Sequence, residues 1–333
     1  MRHHSSPRSA RSVLFGSGVA LALGALLTGC GQEGGAAAGP AGSGAVKSPG
    51  GRPTVCLIMK SLGNEYFQTM REGAEAHAKK RADLDLVASG IQNETDVDGQ
   101  VAAVNRCVTE GAEALVIAPA DSRALVAPLV RAAKSGVKVV NIDVKLDEDA
   151  LRAAGQAVPF VGPDNTEGAR LSGEALAKSL GKGAKVVLLE GNPGAANAAQ
   201  RKAGFEAAAK AGGLELVDSK TAHWETDEAY TVVGNWLTAH PDVRGIMASN
   251  DSMALGAVKA VQGRKADVRI VGFDDIEAIR PYVKDGTVLA TVDQYAADQA
   301  SHGIDAAMRA IAGESPEPWV KTPIKLVTAG DLG

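Results

Sequence analysis

Short apolar runs alternate with longer amphipathic stretches through most of this chain, in two successive series. Val55–Met59, Leu84–Ala88, Ala114–Ile117 and Val137–Ile142 are nearly continuous in apolar residues. They read as strands buried on both faces, which is how parallel strands under covering helices look. Tyr66–Lys80, Val97–Thr109 and Ala124–Ser135 lie between or near them with apolar positions at helical spacing. A second series follows at Lys185–Leu189, Leu214–Val217, Gly245–Ala248, Val268–Val271 and Val288–Val292, with helical stretches at Gly168–Leu180 and Arg201–Ala211. Gly111, Gly136, Gly181 and Gly212 fall where helices end, and Asp96 and Asp251 fall where helices begin. Parallel neighbours need crossover helices, so the pattern predicts an α/β chain of two doubly wound parallel-sheet lobes. The stretch from Thr54 to the C-terminus is also longer than one core usually organises. The boundary is expected at Pro159–Asp164, between the two series.

What precedes Thr54 has another character. Arg2, Arg8 and Arg11 stand before an apolar stretch, Val13–Leu27, that is too short to span a bilayer, and no acid occurs before Cys30. The stretch closes on Leu27-Thr28-Gly29-Cys30, which resembles the lipobox of bacterial lipoproteins. Residues 1–30 therefore read as a lipoprotein signal peptide with Cys30 as the lipidated residue. This implies export and a lipid anchor on the extracytoplasmic face of a bacterial membrane. Residues 31–53 are Gly-, Ala-, Ser- and Pro-rich and read as a flexible tether. No later segment has the length and apolarity of a transmembrane helix. The full chain has a net charge of −4, and removing the three arginines before Cys30 leaves −7, which argues against nucleic acid as a partner. Cys56 and Cys107 are the remaining cysteines, and no Cys/His ligand spacing surrounds them. Two buried thiols are expected rather than a bridge or a metal pair.

In open α/β sheets, ligands bind beyond the carboxyl ends of the strands. The residues that follow the strands are Lys60, Asn64, Tyr66 and Phe67 after the first, and Asp143 after the fourth. Later strands are followed by Glu190-Gly191-Asn192-Pro193-Gly194 with Arg201 beyond, then Trp224, Asn250-Asp251, Phe273-Asp274 and Gln294. Asn64, Asp143, Arg201, Asn250, Asp274 and Gln294 carry planar hydrogen-bonding groups, while Tyr66, Phe67, Trp224 and Phe273 offer flat apolar faces. Each has a plain structural reading when taken singly, as a helix cap, a core ring or a solvated charge. Together they suit a small polyhydroxylated molecule, whose hydroxyls both donate and accept and whose C–H faces stack on rings. The nucleotide-binding and hydrolase patterns GxGxxG, GxxxxGK[ST], GxSxG and HExxH are absent, and His77, His223, His240 and His302 are scattered. No enzyme, cofactor or metal is expected. Asp96-Val97-Asp98-Gly99 suggests a calcium loop, but the twelve-residue frame would require an acid at Cys107. Thr95 and Asp98 instead read as a helix start.

KSLGNEYF, IAPAD, VVNIDVKLD, GPDN, QRKAGF, SNDSMALGA, IVGFDD and TVDQ resemble type I periplasmic sugar-binding proteins of ABC importers, the ribose- and D-allose-binding family. The resemblance runs from Thr54 to the C-terminus. It implies a periplasmic-binding-protein-like type I fold with a three-segment hinge. The first lobe would be 54–163 plus 295–322, and the second 164–294 plus 323–333. It also implies that Lys60, Asn64, Tyr66, Phe67, Asp143, Arg201, Trp224, Asn250, Phe273, Asp274 and Gln294 contact the ligand. Lys60 and NIDVKLD are closer to the allose-binding branch. Val144 departs from both branches, which place an arginine or an acid there, and this leaves open an allose-like hexose, a pentose or a sugar alcohol. The implied partners are a membrane permease and its ATPase, with a monomeric binding protein closing on its ligand. A repressor effector domain shares the fold, but the signal and tether occupy the place of its DNA-binding helices. An alternative output is a sensor that presents its closed form to a chemoreceptor or kinase.

Overall fold

The computed structural model describes residues 51–333, so Cys30, the signal and most of the tether lie outside the described residues. From Thr54 the chain alternates strand and helix: β1 (Thr54–Ser61), α1 (Glu65–Arg81), β2 (Asp85–Ile91), α2 (Val97–Thr109), β3 (Ala114–Ile117), α3 (Val126–Lys134), β4 (Lys138–Ile142), α4 (Glu148–Ala153) and β5 (Phe160–Gly162). There follow α5 (Asn165–Leu180), β6 (Lys185–Glu190), α6 (Ala196–Gly212), β7 (Glu215–Thr221), α7 (Thr226–Ala239), β8 (Val243–Ala248), α8 (Asp251–Arg264) and β9 (Arg269–Val271). The last elements are α9 (Arg280–Lys284), β10 (Val288–Asp293), α10 (Ala296–Ile311), β11 (Trp319–Lys321) and β12 (Lys325–Val327).

Two six-stranded sheets result, ordered β11-β5-β4-β3-β1-β2 and β12-β10-β9-β8-β6-β7. The pairings are parallel except for β12, which lies antiparallel on β10. The predicted α/β class with two parallel-sheet lobes is what the fold shows. Both sheets are covered on both faces. In β1, Val55, Leu57 and Met59 enter one buried cluster while Cys56 and Ile58 enter another. In β6, Val187 and Leu189 likewise face away from Val186 and Leu188. Because successive strand side chains point to opposite faces, near-continuous apolar runs are what two covered faces require. Among the described residues the chain passes between the two layers after β5, after β10 and after β11.

Several expectations need correction. Cys56 and Cys107 form a disulfide, with 6.3 Å between their Cα atoms. β1 and α2 pack against each other and bring the pair within bridging distance, which a 51-residue separation conceals. The cap of α8 is Asn250, not Asp251, and the cap residue with positive φ after α6 is Gly213, not Gly212. Asp96 caps α2 by accepting from Gly99 N–H, so Thr95 and Asp98 do not form the expected start. At the end of the predicted tether, Pro53 accepts from the Asp85 amide and Arg52 pairs with Asp85, so these residues are held against β2.

A candidate ligand-binding cleft between two sheets

Lys60, Asn64, Tyr66, Phe67, Asp143, Asn197, Arg201, Trp224, Asn250, Asp274 and Gln294 line one narrow cleft with about 230 Å³ of space between side chains, part of it open to solvent. Ten of these come from the sequence reading. They converge because the carboxyl ends of both sheets face each other across the cleft.

On the first side, Asn64 caps α1 by accepting from Tyr66 N–H at 3.1 Å, which aims the first turn of that helix at the cleft. Tyr66 and Phe67 meet edge to face with ring centroids 5.0 Å apart. The Tyr66 hydroxyl donates to Asp143 Oδ1 at 3.3 Å and accepts from Gln299 Nε2 at 3.0 Å. Asp143 itself has φ of 61°, and it is buried. Burial pushes its carboxyl above the usual range, with Lys60 and Arg201 opposing. Burial raises the Tyr66 hydroxyl as well, and the neighbouring Asp143 charge adds to this.

On the second side, Arg201 reaches the cleft from α6. Its Nε donates to Asn165 Oδ1 at 2.9 Å and its Nη1 to the Ser249 carbonyl at 2.8 Å, with Asp274 Oδ1 at 3.4 Å. The guanidinium lies 3.6 Å from the Phe273 ring centroid. Phe273 is therefore a platform beneath Arg201 and does not line the cleft. Gln294 Nε2 donates to Asp274 Oδ1 at 2.6 Å. Burial pushes Asp274 up to about 7, Arg201 opposing and Asp143 adding. The Trp224 ring fits because a Cβ on Gly191 would lie 2.0 Å from it.

Three residues outside the expected set, Asn197, Glu94 and Asn165, also shape the cleft, as does Asp251, expected only as a helix start. Asn197 sits four residues before Arg201 on α6 and so shares its face, a signal the sequence did carry. Glu94 is buried beside Lys60 and Asn64. The apolar run predicts a strand ending at Ala88, whereas β2 continues to Ile91 and carries the chain on to Glu94. Asn165 orients Arg201. Asp251 is a buried carboxylate that accepts from the Phe273 and Ile276 amides and from the Thr291 hydroxyl, fixing the loop that carries Asp274. Burial raises Asp251 well above the usual carboxylate range, and the Asp274 charge adds. Val144 is fully buried in the core, and its carbonyl accepts from Asn141 Nδ2, so it leaves the cleft to its neighbour Asp143.

Three buried polar atoms of the lining have no hydrogen-bond partner among the described residues: Asp143 Oδ2, Asn197 Oδ1 and Trp224 Nε1. Two acceptors and one donor thus face one narrow space, beside the donors of Lys60 and Arg201.

Residues 55–315 match the periplasmic binding protein domain family. A D-ribose/D-allose-binding protein of Pseudomonas aeruginosa is 48% identical over 285 residues, covering 84% of this chain and 89% of its own. An ABC transporter solute-binding protein from Burkholderia multivorans superposes with a TM-score of 0.82 at 46% identity, covering 84% of this chain and 100% of its own. A periplasmic solute-binding protein from Actinobacillus succinogenes, solved with bound D-allose, superposes with a TM-score of 0.80 at 36% identity, covering 84% and 99%.

Proposed function

This chain belongs to the periplasmic binding protein domain family, and we propose that it captures a monosaccharide or sugar alcohol outside the cytoplasm and delivers it to an ABC permease driven by a separate ATPase. The observation that carries this is the set of unpartnered buried atoms, Asp143 Oδ2, Asn197 Oδ1 and Trp224 Nε1, facing one small cleft. Leaving such groups unpaired costs free energy, and a hydroxyl-rich ligand repairs each of them. Tyr66, Phe67 and Trp224 supply apolar faces for its C–H bonds. The relatives that bind ribose and allose support an allose-like hexose or a pentose as the ligand.

In this reading the lobes are 54–163 with 295–322 and 164–294 with 323–333. They close on the ligand about the three crossings, and the protein acts as a monomer. Ligand held between lobes favours the closed state, which the permease then receives. The lipobox-like Leu27–Cys30 supports a lipid anchor at Cys30; mass spectrometry of the mature protein should find a diacylglyceryl-modified N-terminal cysteine, and an unmodified one rejects the anchor. Among the described residues, no helix is long and apolar enough to cross a membrane. Calorimetry and thermal unfolding against D-allose, D-ribose, other hexoses and pentoses, and polyols test the central reading. A ligand at a hundred times its Kd should stabilise by about 2.7 kcal/mol. Failure of every sugar and polyol to bind rejects it.

A further inference from the structure

The first-sheet side of the cleft rests on a buried acid that does not itself line it. Glu94, in the turn after β2, is 1% exposed. One carboxylate oxygen accepts from Asn64 Nδ2 at 3.0 Å, and the other lies 3.2 Å from Lys60 Nζ. Its backbone N–H donates to Glu225 Oε1 at 3.2 Å, across the cleft in the turn before α7.

Asn64 is held at both ends. Its Oδ1 accepts from Tyr66 N–H and its Nδ2 gives one proton to Glu94. An amide turned end for end would set its NH2 against the Tyr66 N–H and its oxygen against the carboxylate. One Nδ2 proton therefore remains for a ligand. The Lys60 ammonium lies 5.1 Å from the Phe67 ring centroid and 5.2 Å from that of Trp224, with Glu94 as its ion-pair partner. Lysine has no acceptor, so its remaining protons are also donors. Asp143 Oδ2, on the same side of the cleft, is the complementary acceptor.

We propose that Glu94 is a positioning residue that makes Lys60 and Asn64 a fixed pair of donors and thereby sets which hydroxyl stereochemistry the cleft accepts. The proposal rests on the sugar-binding reading above. Glu94→Gln keeps the size and can still accept from Asn64, but it removes the charge that orients Lys60. Lys60→Met removes the ammonium and keeps the apolar stem.

The test is a double-mutant cycle on the full chain, with affinities by calorimetry for D-allose against its epimer D-glucose and D-ribose against its epimer D-arabinose. Glu94→Gln should weaken the preferred sugar tenfold or more and shrink the ratio between epimers. In the Lys60→Met background the same change should cost less than twofold, and Glu94→Asp should recover part of the parent's epimer ratio. Unchanged affinity in Glu94→Gln, or an equal cost in both backgrounds, overturns the proposal while leaving the sugar reading intact. A parent protein that binds none of the four sugars overturns both. If Glu94→Gln does not fold, Lys60→Met decides: its epimer ratio should collapse, and an unchanged ratio overturns the proposal.

Discussion

Asp143, Trp224 and Asp274 have φ of 61°, 71° and 120°, values that side chains with a Cβ seldom adopt. Such backbone persists where the surroundings over-determine it, and here it turns three cleft residues inward at the ends of three different strands. Asp143 N–H is held by the Val161 carbonyl, and Asp274 N–H by that of Val292. Asp143→Ala removes an acceptor that the ligand would need, so affinity should fall ten- to a hundredfold, the worth of about 1.5–3 kcal/mol for a hydrogen bond to a charged group. Calorimetry of the folded variant checks this. Asp274 carries a pH signature. Its usual pKa of 3.8 is raised to about 7 in the folded protein. Below the lower value the group is protonated in both states and contributes no penalty. Between the two values the folded state keeps a proton that the unfolded chain has released, so stability falls as pH rises. Above about 7 the whole penalty, a few kcal/mol, is present. Asp274→Asn should flatten this limb of the stability–pH curve measured by urea unfolding, and a curve parallel to the parent's would refute the assignment.

At the scale of elements, α6 joins the two sides of the cleft. It carries Asn197 and Arg201, yet its cap residue Ala195 has no side chain to satisfy the first amides. The Ser122 hydroxyl, from the turn after β3 in the other layer, accepts from Ala196 N–H at 2.9 Å. Ser122 N–H in turn donates to the Gly194 carbonyl at 2.8 Å, and Asn192 Nδ2 donates to the Ala120 carbonyl at 3.2 Å. A helix capped from the opposite layer gains that bond only while the layers are together. Ser122→Ala should therefore cost about 1 kcal/mol, or about fivefold in affinity, without lowering the unfolding midpoint of the unliganded protein. An equal loss of unliganded stability would make the cap merely structural. The Cys56–Cys107 bridge ties β1 to α2. Its loop length corresponds to about 4 kcal/mol in the chain-entropy account of disulfides, so Cys107→Ala should lower the urea midpoint clearly, and reductant should do the same to the parent. An unchanged midpoint would show that packing alone holds β1 and α2 together.

Across the whole molecule, the two layers meet on several sides of the cleft. Besides the Ser122 contacts, Glu94 N–H reaches Glu225, and the Glu65 carboxylate accepts from the Glu277 and Ala278 amides at 2.7 and 3.2 Å. This arrangement suits a closed state. If the lobes hinge about the three crossings, small-angle scattering should give a smaller radius of gyration with a binding sugar than without one, and identical curves would argue for a rigid cleft. The fold class was legible in the sequence because a strand buried on both faces must be apolar throughout, and the helices that cover it must be amphipathic. Strand ends such as Lys60, Asp143 and Asp274 were legible for the same reason: the sheet's geometry decides where they go, whatever the loops do. The pairing of Cys56 with Cys107, the platform role of Phe273, the placement of Glu94 and the capping of α6 by Ser122 were not. Each depends on residues tens of positions apart meeting at a particular angle. Local spacing and propensity carry no term for such meetings, and only the packed tertiary structure decides them.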